Sequence, residues 1–240
     1  MNNLVFDQST TYVIGDVHGK WQGIVNNCRR YNITNSLLIQ CGDFGLGFHP
    51  LEEELRSIDY VNVQLAMYNN VLLAIRGNHD NPSFFNSTHQ WFSNIWLLKD
   101  YTTIVNIKKD LYILCIGGGV SLDRHIRKQD VNWWQNERFV LNKQLLDEIN
   151  IPIDTVITHI CPQFAVPNVQ VFECINTVKT PEAFEESVEE TKQMTKVYEK
   201  LNTRNHIVNW FHGHFHMSKL QVINNTKFTS LSELEFKELR

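Results

Sequence analysis

The sequence predicts an α/β fold in which two mixed β-sheets pack as a sandwich flanked by helices, and three observations carry the prediction. Short runs rich in Val, Ile and Leu recur along the chain, longer amphipathic stretches alternate with them, and two regions place neighbouring runs on either side of a short polar turn. With 240 residues and 42% hydrophobic content, a single domain over residues 1–240 can bury enough apolar surface to need no cross-links.

Taken in order, the runs at 12–14, 37–40, 71–75, 111–116, 155–158 and 207–211 read as strands. Each is too short for a helix and is bounded by polar or turn-forming residues. The stretches at 21–31, 51–69, 138–149 and 182–201 read as helices, the last with Phe184, Val188, Val197 and Leu201 on one face. This alternation favours crossover connections. Residues 101–116 and 219–230 look instead like adjacent strands joined by short turns, so the sheets are expected to be mixed.

Composition narrows the function. The 22 basic and 26 acidic residues give a net charge of −4, so a broad nucleic-acid or membrane surface is not expected. The five cysteines, Cys28, Cys41, Cys115, Cys161 and Cys174, are widely spaced with no Cys-x-x-Cys pair. They suggest neither a disulfide framework nor a thiolate zinc site, and a reducing cytoplasm fits best. The first residues lack a basic stretch followed by a long apolar one, and no run approaches the roughly 18 residues of a membrane span. The sequence leaves the oligomeric state open.

The way the runs end is more informative. Tyr12-Val13-Ile14 meets Gly15-Asp16-Val17-His18-Gly19, Leu38-Ile39-Gln40-Cys41 meets Gly42-Asp43, and Leu72-Leu73-Ala74-Ile75 meets Arg76-Gly77-Asn78-His79-Asp80. Further on, Val156-Ile157-Thr158 meets His159, and Val208-Asn209-Trp210-Phe211 meets His212-Gly213-His214-Phe215-His216. Ligands of open α/β sheets bind beyond the carboxyl ends of the strands, so five strand ends would deliver their polar residues to one place.

The delivered set is Asp16, His18, Asp43, Asn78, His159, His214 and His216. Imidazole with carboxylate suits Zn, Fe, Mn or Co, whereas the lack of thiolate argues against a closed structural zinc site. Seven ligands exceed the needs of one ion. Two divalent ions about 3.5–4 Å apart would need a bridging carboxylate, and Asp43 is the natural bridge. Two aspartates against two divalent ions leave excess positive charge, suited to a hydroxide and an anionic phosphoryl group. Metal-bound water ionises near pH ~7, so no serine or cysteine nucleophile and no covalent intermediate is needed.

In order and spacing these motifs, with His159 followed closely by Pro162, resemble those of the calcineurin-like metallophosphoesterases. The resemblance runs from Gly15 to His216 and implies the four-layer fold of that superfamily. It also implies that Asp16, His18 and His216 hold one metal and Asn78, His159 and His214 the other, with Asp43 between them. His79 is similar to the family's non-ligand histidine, which stabilises or protonates the leaving oxygen, with Asp80 beside it to orient it. Family members commonly use Mn, Fe, Zn or Ni, and Mn is the expected activator.

Arg76 resembles the arginine that phosphoprotein phosphatases place against substrate phosphate. The loop Gly117-Gly118-Gly119-Val120-Ser121-Leu122-Asp123-Arg124 is expected on the substrate side, with Arg124, His125 and Arg127 near it. Arg76, Arg124 and Arg127 are therefore the expected substrate-binding residues. Trp133 and Trp134 either pack or stack on a base. His49, His89, His125 and His206 match no motif, and His212 is expected to point away from the ions. Phe44-Gly45-Leu46-Gly47 follows Asp43 where phosphoprotein phosphatases carry a second arginine. The substrate expectation is therefore broad, a phosphate mono- or diester such as a nucleotide, a phosphoprotein or another small phosphoester. The alternative is a metal-binding scaffold of the same fold without catalysis, and a single-metal hydrolase of another bond is a third reading.

Overall fold

The computed structural model describes residues 3–167 and 180–239; Cys174 lies outside them. In chain order the strands are β1 (Leu4–Phe6), β2 (Thr10–Ile14), β3 (Ser36–Gln40), β4 (Val71–Ala74), β5 (His89–Phe92), β6 (Ile95–Leu97), β7 (Thr102–Asn106), β8 (Leu111–Ile116), β9 (Thr155–Thr158), β10 (Asn209–His212), β11 (Lys219–Ile223), β12 (Thr226–Ser230) and β13 (Phe236–Glu238). The helices are α1 (Trp21–Arg30), α2 (Leu51–Met67), α3 (Lys143–Asp147) and α4 (Pro181–Asn202).

Among the described residues the strands form two mixed sheets, as the sequence predicts. One runs β13-β2-β3-β4-β6-β5 and the other β1-β7-β8-β9-β10-β12-β11. Alternation of side chains explains why the central strands read as unbroken apolar runs. In β3, Leu37 and Ile39 enter the core between the sheets, while Leu38 packs under α1 and α2. In β8, Ile113 and Cys115 enter the same central core, whereas Leu114 and Ile116 join the layer that holds Met194 and Val197 of α4. Both faces of each sheet are thus covered, giving helix, sheet, sheet, helix. Each fully buried Leu or Ile contributes roughly 1.5–3 kcal/mol of transfer free energy. The four described cysteines are free and buried in these layers. Among the described residues no helix is long and apolar enough to cross a membrane.

Three local differences from the sequence reading have physical causes. The helix expected over 138–149 shrinks to α3 because the Asn142 side chain accepts the Leu145 N–H at 3.0 Å and starts the helix there. Before that cap the chain is committed elsewhere, its Leu141 N–H donating to Gln193 Oε1 at 3.0 Å. In α4 the buried stripe is Ala183, Ser187, Glu190, Thr191, Met194, Val197, Tyr198 and Leu201, so Phe184 and Val188 flank the stripe and do not centre it. Polar residues inside the stripe hid its register. The strands β1, β5, β6 and β13 have three or four residues each, too few for any period to show.

The glycine-bearing turn after β8 is held from beneath by carboxylates. Gly117 N–H donates to Asp100 Oδ1 (2.9 Å), Val120 N–H to Glu190 Oε1 (3.0 Å) and Ser121 N–H to Glu137 Oε1 (2.8 Å). Glu190 is 2% exposed, and its Oε2 has no hydrogen-bond partner among the described residues. Burial pushes its carboxyl up to about 8, and burial pushes Glu137 up to about 7. The folded chain therefore binds protons that the unfolded chain releases near pH 4.5. This stabilisation is full below that pH and is lost as pH rises through about 8. Thermal melts of chelator-treated protein should accordingly fall by several degrees between pH 5 and pH 9. In Glu190→Gln the fall should be clearly smaller, since about 1 kcal/mol moves the midpoint ~2–4 °C at this size. An unchanged pH slope in a folded Glu190→Gln variant would remove Glu190 from this role.

Candidate metal centre

The strands β2, β3 and β4 run parallel in one sheet and β9 and β10 run parallel in the other, so within each sheet their carboxyl ends lie at one edge. The residues just past those ends meet in one crevice. Asp16, Asp43, Asn78 and His159 are buried, while His18 keeps 14% and His216 46% of side-chain exposure.

One group of ligand atoms comes from Asp16, His18, Asp43 and His216, all within 4.8 Å of one another. His216 Nε2 lies 3.0 Å from Asp16 Oδ2 and 2.9 Å from His18 Nε2, and His18 Nε2 lies 3.8 Å from Asp43 Oδ2. The other oxygen of Asp43 faces a second group. Asp43 Oδ1 is 3.2 Å from His159 Nε2, and Asn78 Oδ1 is 2.9 Å from both His159 Nε2 and His214 Nδ1. His214 Nδ1 is 3.2 Å from His159 Nε2. The structure thus brings together all seven residues of the strand-end set.

The chemistry of these donors fits divalent cations. His159 Nδ1 stands 2.9 Å from the Cys41 carbonyl, which fixes its proton there and leaves Nε2 a bare lone pair. That lone pair faces two further acceptors, Asn78 Oδ1 and Asp43 Oδ1, an arrangement a cation satisfies and a hydrogen bond does not. Ligand atoms about 2.0–2.2 Å from one ion sit roughly 3 Å apart, which matches the 2.9–3.2 Å separations here. Burial pushes His159 down to about 3, and burial with His159 pushes His214 down to about 3, so both rings stay neutral ligands. Burial, Asp16 and Asp80 push Asp43 up from the usual carboxylate range, so the site lacks a counter-charge.

Backbone shape places these side chains. His18, Asp43, His214 and His216 all have positive φ, between 49° and 68°, a conformation costly for residues with a Cβ and characteristic of functional sites. Glycines beside them allow close approach: a Cβ on Gly213 would lie 1.9 Å from Asp16 Oδ1, and one on Gly77 would lie 2.1 Å from Asp43 Oδ1. The His214 N–H donates to Asp16 (3.0 Å to Oδ2), and the His79 N–H donates to Asp43 Oδ1 at 2.7 Å.

Around the ligands the structure corrects several expectations. Asp80 does not orient His79: its carboxylate accepts N–H bonds from Phe44, Gly45, Leu46 and Gly77 at 2.7–3.0 Å. It fixes the loop that carries Asp43, and burial pushes it up to about 6. The ring of His79 instead has Arg127 Nη2 against Nε2 and lies 4.7 Å, centroid to centroid, from His18. Burial and then Arg127 push His79 down to about 2. Arg76 turns away from the site, because its guanidinium donates to Asp100 (2.7 Å) and to the carbonyls of Glu137 and Arg138. Arg124 pairs with Glu186 at 2.8 Å and lies over Trp133. Of the three arginines only Arg127 reaches the ligand cluster, while Asp123 holds it at 2.8 Å.

The turn at Gly117–Gly119 spends its N–H groups on Asp100, Arg76 O and Glu137 O, so it forms no anion cradle. Trp134 is buried with its edge on Phe48, and Phe48 lies 5.8 Å from the His79 ring. His212 is fully buried, its Nε2 without a hydrogen-bond partner among the described residues, and it belongs to neither ligand group. Two residues escaped the sequence reading. Ser121 Oγ accepts from Asn78 Nδ2 at 3.2 Å and so turns Asn78 Oδ1 toward the cluster. Glu233 Oε1 lies 3.9 Å from His18 Nε2 and 4.0 Å from His216 Nδ1. Neither carries a motif.

No curated protein matches the sequence. Among solved structures, a 2.05 Å crystal structure of a protein named as a candidate 5'-nucleotidase from Staphylococcus aureus, in complex with alpha-ketoglutarate, is similar at 15% identity and a TM-score of 0.47. The match covers 95% of this chain and 50% of that one, so the chain spans about half its length. Residues 9–218 match the calcineurin-like phosphoesterase family, a span holding all five strand-end motifs; the chain belongs to that family.

Proposed function

We propose that the protein hydrolyses a phosphate mono- or diester at a centre of two divalent metal ions. The observation that carries this reading is the division of Asp43 between two ligand groups, with Oδ2 toward His18 and Oδ1 toward His159. Asp16, His18 and His216 would hold one ion, and Asn78, His159 and His214 the other, with Asp43 shared. When bound, the ions supply Lewis acidity and a water acidic enough to attack phosphorus at neutral pH.

The chain's own residues do the rest. Asp80 and the His79 N–H fix Asp43, and Ser121 turns the Asn78 carbonyl inward. The His79 ring assists the leaving oxygen. Arg127, held by Asp123 and touching His79, is the guanidinium placed to meet a substrate oxygen. Manganese is the proposed activator, as the family resemblance implies, and nitrogen and oxygen donors without thiolate accommodate it as well as Zn, Fe or Ni. Phosphate esters are the proposed partners and the cytoplasm the proposed setting, on the strength of the free cysteines.

Turnover of an aryl phosphate monoester and an aryl phosphodiester with Mn, together with elemental analysis, tests the proposal. Two ions per chain with turnover of either ester is the expected result. Two ions without turnover would identify a scaffold, and one ion per chain would refute the shared carboxylate. Asp43→Asn should lower kcat by at least ~100-fold and reduce the metal content at both positions. His79→Ala should leave metal content nearly intact and lower kcat by ~10²–10⁴-fold, most for esters with poor leaving groups. Metal loss in His79→Ala would show that this histidine belongs to the ligand set.

A further inference from the structure

Beside the metal ligands lies a cavity of about 310 Å³, bounded on the cluster side by Asn78, His79, His214 and His216. Its volume suits one small organic group. The apolar part of the lining consists of Val120, Leu122, Ile160 and Phe215. Helix α4 contributes Ser187, Glu190 and Thr191, but two of these polar groups are already occupied. Ser187 Oγ donates to Phe184 O and Thr191 Oγ1 to Val188 O, both at 2.8 Å within the helix.

Charge makes the same point. Among the described residues that line the cavity there is no Lys or Arg, and its two carboxylates are Glu190 and Asp123. Asp123 is paired with Arg127, and Glu190 is buried beneath the turn it holds. A second phosphate entering here would meet no lysine or arginine among the described residues, and a polyol would find few free hydrogen-bonding partners among them.

Resting on the proposed phosphoesterase activity, we propose that this cavity is the leaving-group subsite and that it selects a phosphate ester of an uncharged, predominantly apolar alcohol. Water's oxygen bonds to phosphorus as the ester P–O bond breaks, the attacking water releases a proton to solvent, and the leaving oxygen takes up one proton from solvent, so that the alcohol and a phosphate are the products. Binding energy from the apolar wall then raises kcat/KM for such esters over hydrophilic ones joined through the same kind of primary alcohol.

Benzyl phosphate and glycerol 1-phosphate, assayed with the Mn-loaded protein, test this. The ratio of their kcat/KM values should favour benzyl phosphate at least tenfold, and Leu122→Asp should cut that ratio at least fivefold; Leu122→Ala, the milder change, should cut it in the same direction. Calorimetry with benzylphosphonate and 2-hydroxyethylphosphonate gives a readout independent of turnover, and the benzyl compound should bind at least tenfold more tightly. If no ester, p-nitrophenyl phosphate included, is hydrolysed, the phosphoesterase reading fails while calorimetry still decides the pocket. Equal or reversed preference in turnover, or in binding where there is no turnover, would overturn the subsite, as would failure of both phosphonates to bind a protein that turns over no ester.

Discussion

Three aspartates, Asp16, Asp43 and Asp80, are buried within one crevice, and the cost of placing carboxylates together out of water organises the surrounding structure. Asp80 is offset by four backbone N–H groups. Asp16 receives the His214 N–H on both oxygens. Asp43 receives the His79 N–H, and burial with its two acidic neighbours pushes its pKa up. The crevice thus has one carboxylate whose charge the backbone leaves largely uncompensated, and it lies between two sets of histidine nitrogens. A cation beside Asp43 would supply the counter-charge that the protein withholds.

The fold makes this arrangement rigid. Five parallel strand ends from two sheets approach one another, so no ligand depends on a long flexible loop. The positive φ values at His18, Asp43, His214 and His216 are the local strain of turning sharply off a strand with a side chain aimed inward. Asp80 shows how that strain is held: one carboxylate ties the Phe44–Leu46 amides to the Gly77 amide, joining the turns after β3 and β4. Although Asp80 touches no ligand nitrogen, it locates the shared carboxylate, and the motif's acidic residue therefore acts on backbone geometry.

Most of the ligand set was legible in the sequence because its cause is local. A short apolar run followed at once by Asp, Asn or His states both the strand and what its end delivers, and parallel pairing does the rest. The strands β3, β8 and β9 were legible for the same reason. Arg76 was not, since its partner Asp100 is 24 positions away and nothing in either segment announces the pairing. Glu190 was missed because a carboxylate in an amphipathic helix ordinarily marks the solvated face. Here it lies buried, holding the Val120 amide. The turn after β8 read as a substrate-side loop because glycines permit close backbone approach, yet its glycine amides are taken by Asp100 and by the carbonyls of Arg76 and Glu137. Long-range polar pairing leaves no period in a sequence.

The same glutamates separate the centre from what surrounds it. Because Asp100, Glu137 and Glu190 hold the amides of the turn at residues 117–122, its side chains face the cavity, and those side chains are Val120 and Leu122. A loop that offered its N–H groups would have made a second phosphate site; this one offers an apolar wall. On the other side of Val120, a cavity of about 370 Å³ is lined by Arg124, Trp133, Arg138 and Glu186, and there Arg124 is paired with Glu186. On the proposed reading, the metal centre acts at phosphorus and is indifferent to what the phosphorus carries. Discrimination among esters would then fall to the β8 turn and α4, where the internal pairing of polar groups sets which surface a substrate meets.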